Sequence, residues 1–175
     1  MEESANAIRL LRSSGPFEVF WRFQGIGDFI KEVRRSGDPR NWPYSLLRGG
    51  EFARFSDVLV FCGYSVKLKM YTKPFDDDPP LYAALHICQS SMDPHLKWPF
   101  SIPLTFVLVH PRDEEKNIKR DEVPPVPNTG YFRRAKVAEN VEIWTRLLRK
   151  ITDLDANGFI CDDSLLFCVK ATLNE

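Results

Sequence analysis

His86, His95 and His110, the four cysteines, and the run Asp76-Asp77-Asp78 are the residues whose types could do chemistry in this 175-residue chain. Three histidines converging with a carboxylate such as Asp93 or Asp113 could hold zinc. His86 lies inside an apolar stretch and the other two in or beside loops, so each reads as a satisfied or solvent-facing side chain. Cys62, Cys88, Cys161 and Cys168 contain no C-x-x-C pair, which argues against a zinc knuckle or a redox couple. They read as reduced, partly buried thiols. Three adjacent aspartates could bind a cation, but a carboxylate run among prolines reads as a solvated turn. No G-x-S-x-G, G-x-x-x-x-G-K-[ST], H-E-x-x-H or G-x-G-x-x-G pattern occurs. No pair of titratable groups with opposed roles is visible. The expectation is a non-enzymatic chain with no catalytic residues, no metal and no cofactor.

Charge excludes further classes. Arg133, Arg134 and Lys136 follow Tyr131 and Phe132, and aromatics beside cations can stack on bases. Yet 24 Lys and Arg balance 24 Asp and Glu, so no global field would hold a nucleic acid. The cluster reads as a charged rim around one buried Phe. No apolar run approaches the roughly 18 residues of a spanning helix, so no membrane insertion is expected. The N-terminus is too charged for a secretory signal, and no N-x-S/T acceptor occurs. A cytoplasmic location is expected.

The elements that must position these residues are mainly strands. In FEVFWRFQ, Phe17, Val19, Trp21 and Phe23 alternate with Glu18, Arg22 and Gln24, the period of a half-buried strand. In YSVKLKMY, Tyr64, Val66, Leu68 and Met70 point one way, and Ser65, Lys67, Lys69 and Tyr71 form the polar face. LYAALHICQ, PLTFVLVH and SLLFCVKATL are more apolar on both sides, as near a sheet centre. KPFDDDPP, SMDPH and VPPVPNTG interrupt them. DFIKEVRR reads as a helix with Asp28 as N-cap, and LLRKITDLDANG as a second, with Leu147, Leu148, Ile151 and Leu154 on one side and Gly158 as its stop. This predicts an all-β antiparallel sandwich of about eight strands with one or two short helices, spanning residues 16–175. Residues 1–15 read as a helical or flexible segment, too short to show a coiled coil but consistent with the end of one.

HLKWPF, residues 95–100, places Trp98 and Phe100 around Pro99 just before an apolar run. Proline can start a strand where no ladder donor is needed, so both aromatics are expected to fold onto the core. GYSVKLKMY, then D-x-x-L-x-W-P-F at Asp93, Leu96, Trp98, Pro99 and Phe100, then the Asp-Asp turn at Asp162 and Asp163, resemble the C-terminal domain of the TNF receptor-associated factors, within the MATH superfamily. FWRFQGIGDF is similar to that family's first strand, with Trp21 in the aromatic place. The resemblance runs from about Phe17 to Leu173 and marks Trp21, Tyr64, Leu96, Trp98, Phe100, Asp162 and Asp163 as structural.

The resemblance implies an eight-stranded sandwich that binds short extended peptides of receptor cytoplasmic tails or adaptor proteins along a sheet edge, by β-augmentation. The basic and tyrosine places of the family's site fall on Lys69 and Tyr71, and Lys loses the bidentate fork of Arg. The acidic place falls on Phe75, with Asp76 just beyond. The opposite wall falls on Val123, Pro124, Thr129, Gly130, Tyr131 and Phe132, where only Thr129 keeps the hydroxyl of a family serine triplet. The peptide-pairing strand falls near Val141 to Leu148, at Glu142, Ile143 and Trp144. An adaptor in TNF-receptor or Toll-type signalling and the substrate-recognition module of a ubiquitin-ligase adaptor or deubiquitinase both remain open. Relatives trimerise, so a homotrimer is implied as one assembly, although the heptads that would drive it are largely missing. The connection from Gly25 to Gly63 is longer than usual for the family.

Overall fold

A computed structural model of the chain describes residues 17–36, 51–73, 78–122, 134, 143–144 and 148–172. The N-terminal segment 1–15 lies outside them. Two antiparallel sheets form the architecture. The first has four strands in the order β1 (Glu18–Gln24), β10 (Ser164–Ala171), β6 (Leu104–Val109) and β7 (Ile118–Glu122). The second has the order β2 (Phe52–Phe55), β4 (Tyr64–Thr72), β5 (Pro80–Ile87) and β8 (Ile143–Trp144), with β3 (Leu59–Phe61) also on β4 and β9 (Arg149–Lys150) also on β5. Among the described residues the strands occupy eight positions, as expected, with β2 and β3 sharing one beside β4 and β8 and β9 sharing one beside β5. β2 and β3 run along the same side of β4, interrupted where Ser56 turns its backbone N–H and its hydroxyl to Leu68. β8 and β9 both pair with β5, and residues 145–147 between them lie outside the described residues.

Alternation places the core between the sheets. Val66, Leu68 and Met70 of β4 and Leu85 and Ile87 of β5 meet Phe106 and Leu108 of β6 and Phe167 of β10, all fully buried. In β1, Val19 and Phe23 are buried while Glu18, Arg22 and Gln24 are exposed, as the pattern requires. Helix α1 (Ile26–Arg35) lays Ile26, Phe29 and Val33 against this core. Its N-cap is Gly25 and not Asp28, which lies inside the first turn. The amides that a capping side chain would usually satisfy go to another segment. Gly25 and Ile26 donate backbone N–H to the Asp163 carbonyl, and Gly27 donates to its carboxylate at 2.7 Å. A Cβ on Gly27 would sit 2.9 Å from that oxygen, so glycine permits the approach.

The Asp-Asp pair itself forms a two-residue hairpin turn. Both residues have positive φ, 49° and 54°, and Cys161 and Ser164 exchange two backbone hydrogen bonds across it. Aspartate tolerates this backbone region better than most residues. Asp162 and Asp163 form this turn at the surface and not in the core.

The second helix is shorter than its periodicity suggested. Helix α2 spans Ile151–Ala156, and Arg149–Lys150 before it are extended because they pair with Pro80 and Leu81. Leu147 lies outside the described residues. Gly158, at φ 76°, follows the helix as expected. Asp78 caps α2 from a distance: its carboxylate accepts the Thr152 backbone N–H at 3.2 Å and the Thr152 hydroxyl at 2.6 Å. These bonds hold the Asp78 carboxyl below its ordinary value of 3.8. A depressed folded value means that the stabilisation is complete above the ordinary pKa and is lost as pH falls through the folded one. Urea unfolding should show the wild type more stable than Asp78→Asn at about pH 7, with the difference closing in strong acid.

Among the described residues no helix is long and apolar enough to cross a membrane. All four cysteines are free. Burial pushes the Cys62 thiol up to about 11, and burial with the neighbouring Glu18 carboxylate pushes Cys168 up to about 12. Cys88 is buried as well, and Cys161 is the most accessible. Ellman's reagent at about pH 8 is expected to modify Cys161 quickly in the folded protein and the other three only on unfolding. Rapid release of four thiols from native protein would contradict this burial.

Candidate functional site

The W-P-F turn is a structural device. A single 3-10 turn at Asp93–His95 precedes it, and the buried Asp93 side chain accepts the Ser90 N–H while its carbonyl accepts Trp98 Nε1–H at 2.8 Å. Arg134 Nε lies 3.7 Å from the same carboxylate. The Trp98–Pro99 peptide bond is cis. Phe100 is buried and packs edge-on to Tyr64 at 4.9 Å. Trp98 also packs edge-on to Tyr64, but it stays half-buried at the core's rim, as do Trp21 and Leu96. Trp98 thus folds onto the core as expected, but only in part, and its indole N–H is held by the Asp93 carbonyl at the rim.

The outer face of the six-stranded sheet holds the residues read as binding. Antiparallel register lines up Phe55, Lys69, Ala84 and Trp144 across β2, β4, β5 and β8. A second row aligns Ala53, Tyr71 and Tyr82, and a third Lys67 and His86. Lys69 and Tyr71 do share the face opposite Val66, Leu68 and Met70. That face is not open, however: Lys69 is 5% exposed and Tyr71 0%. The Lys69 ammonium forms an ion pair with Glu51 and lies 4.5 Å from the Tyr71 ring centre and 5.8 Å from that of Phe55. Tyr71 stacks on Tyr82 at 5.1 Å. The alternation of YSVKLKMY correctly separated two faces, but it carried no information on what covers the second one. Replacing Lys69 or Tyr71 thus disturbs packing, contrary to the expectation of a solvent-facing pair.

Ile143 stands opposite Leu85 in β8, which ends its sheet among the described residues. Phe75, Asp76, Val123, Thr129, Gly130, Tyr131, Phe132 and Glu142 lie outside the described residues. The sequence reading missed Glu51, the partner of Lys69, and Phe55, which is half-exposed beside it and edge-on to His86. Both belong to the long connection after Gly25, which carried no motif. Charge complementarity to Lys69 was the only available signal.

Chemistry at the histidines is accounted for in part. His110 Nε2 donates to the Asn157 carbonyl at 2.9 Å and Nδ1 accepts from Arg112 N–H, which selects the neutral Nε2–H form. His95 is exposed. Among the described residues no group of three or more His, Cys, Asp or Glu side chains could hold a metal ion.

Comparison with known proteins places this geometry in a family. The family described as TRAF/meprin, MATH domain matches residues 59–168. The solved structure of Notothenia coriiceps TRAF5 superposes with a TM-score of 0.67 at 16% identity, covering 99% of this chain and 82% of that one. At that identity the likeness is one of fold. No curated protein matches the sequence.

Proposed function

The chain belongs to the TRAF/meprin MATH domain family, a family of protein-interaction modules, and from that premise we propose that it is a peptide-binding adaptor domain. It takes a short extended segment along β8, whose outer side would supply main-chain hydrogen bonds while neighbouring side chains select the sequence. The observation that carries this reading is the position of β8: a two-residue strand that ends its sheet among the described residues, in register with Ala84 and Lys69. Val123, Thr129, Gly130, Tyr131, Phe132, Phe75, Asp76 and Glu142 form the remaining walls in this proposal. An acidic peptide group reaches Lys69 only by displacing Glu51.

The natural ligands in this reading are cytoplasmic tails of receptors or adaptors in TNF-receptor or Toll-type signalling, and a homotrimer would add avidity to modest single-site affinity. The substitution of the family serine triplet by Thr129, Gly130 and Tyr131 favours a second reading, selection of substrates for a ubiquitin ligase or deubiquitinase, through the same edge.

A peptide array probed with the purified domain provides a consensus, and amide hydrogen exchange with the selected peptide locates it. Protection is expected at Ile143 and Trp144. Protection confined to other segments would remove the site from this edge. Exchange is preferable to substitution of Lys69 and Tyr71, because their burial would confound loss of binding with loss of folding.

A further inference from the structure

β1 ends the four-stranded sheet, and among the described residues no strand pairs with its outer side. Glu18–Gln24 run along this edge without a proline or a lysine, the residues that usually blunt one. Which backbone groups face outward follows from the pairing with β10. The register that sets Glu18 opposite Lys170 sets Phe17 opposite Ala171, and Ala171 N–H donates to the Phe17 carbonyl. Alternate residues from Phe17 onward therefore bond inward to β10, and the N–H and C=O groups of Glu18, Phe20 and Arg22 point away from the sheet. Their side chains are exposed too, Phe20 at 51%. The Cys168 thiol approaches Glu18 and Arg22 donates to the Ser164 hydroxyl, but among the described residues neither Glu18 nor Arg22 is in an ion pair. β3 comes close to β1 on this side of the sandwich, and Val60 in it and Val58 just before it are exposed as well.

We propose that β1 pairs antiparallel with β1 of a second copy of this chain, across a twofold axis at Phe20. In this register Phe20 stands opposite Phe20 of the second copy, and Glu18 opposite Arg22 of the second copy in both directions. The outward backbone groups of all three residues then meet partners. Moving the axis by one residue keeps the backbone bonds but sets Phe20 against Glu18 or against Arg22, so charge complementarity selects the axis. On the inner face Trp21, half-buried at the rim of the core, falls opposite Val19 of the second copy and continues the core across the pair. Val58 and Val60, on the neighbouring edge of the other sheet, lie on the side that faces the second copy. A twofold axis closes the pair, so the edge is covered and no filament follows. In the six-stranded sheet β3 pairs with β4 and β8 with β5, at opposite sides. The pair therefore leaves β8 open and does not depend on the reading given for it, and its twofold symmetry separates it from a trimer.

Sedimentation velocity of the full chain over a concentration series reads the assembly, and the wild type should reach a dimer. R22E and E18R each place like charges opposite one another at both ends of the strand pair. Each should weaken the dimer at least about tenfold while circular dichroism shows an unchanged fold, since both side chains are exposed. An equimolar mixture of R22E and E18R should restore a mixed dimer to within about threefold of the wild type, because an acidic strand then faces a basic one. The exchanged variant E18R/R22E should restore it within one chain. Amide exchange of the wild type, which needs no variant to fold, should show protection of Glu18, Phe20 and Arg22 that grows with concentration. A wild type still monomeric at about 1 mM would overturn the proposal. Association unaffected by R22E and E18R, or no recovery when the two folded variants are mixed, would overturn it too. So would a trimer as the only assembly, or concentration-dependent protection that omits those three amides.

Discussion

Phe100→Ala is expected to destabilise the fold by about 3–5 kcal/mol, the range for truncating a buried phenylalanine. Phe100 is 1% exposed and closes the core below the turn, edge-on to Tyr64. Tyr64 is fixed in turn, because its hydroxyl donates to the Lys97 carbonyl. The surroundings are therefore tied to the same turn and cannot collapse freely into the space left behind, which keeps the cavity term large. Trp98→Ala removes a larger side chain but one that is half-buried, and about 1–3 kcal/mol is expected from the smaller area it withdraws from water. Chemical denaturation of the two variants should rank Phe100 above Trp98. The reverse order would mean that the indole, and not the phenyl ring, closes this end of the sandwich.

Lys69→Met is expected to cost about 2 kcal/mol. Breaking a fully buried ion pair costs roughly 3–5 kcal/mol because one charge is left without compensation. The side chain of Glu51 is 27% exposed, so water relieves part of that penalty. Loss of the ammonium beside the Tyr71 and Phe55 rings adds a smaller amount. The double variant K69M/E51Q should recover at least about half of the loss, since no charge is then stranded. Urea unfolding of the two single variants and the double measures the coupling. A loss below about 0.5 kcal/mol for K69M would show that the pair contributes no more than a surface ion pair.

Local features were readable wherever one residue type answers a backbone demand. Two residues at positive φ between Cys161 and Ser164 are aspartates, and the positive-φ position just past the Asn157 C-cap of α2 is Gly158. The alternation in FEVFWRFQ translated directly into buried Val19 and Phe23, because one face of β1 meets the core. The helix ends were read less well. Asp28 looked like a cap, but the cap came from Asp163, more than a hundred residues away, and no local pattern records such a partner. Arg149 and Lys150 looked helical until β5 claimed their backbone.

The sequence alone determined the strand periods, the tight turns and the W-P-F and Asp-Asp signatures, since these depend on neighbours within a few residues. The tertiary structure alone decided whether each face is covered. Lys67, Lys69 and Tyr71 share one alternating face, yet Lys69 is enclosed by Glu51, Phe55 and Tyr71, and Tyr71 is stacked on Tyr82. A polar residue on a strand is compatible with solvent or with a partner of opposite charge, and which it meets depends on segments distant in the chain. The pairing of β8 with β5, and of β9 beside it, is non-local for the same reason: register across a sheet is set by contacts that no short window of sequence contains.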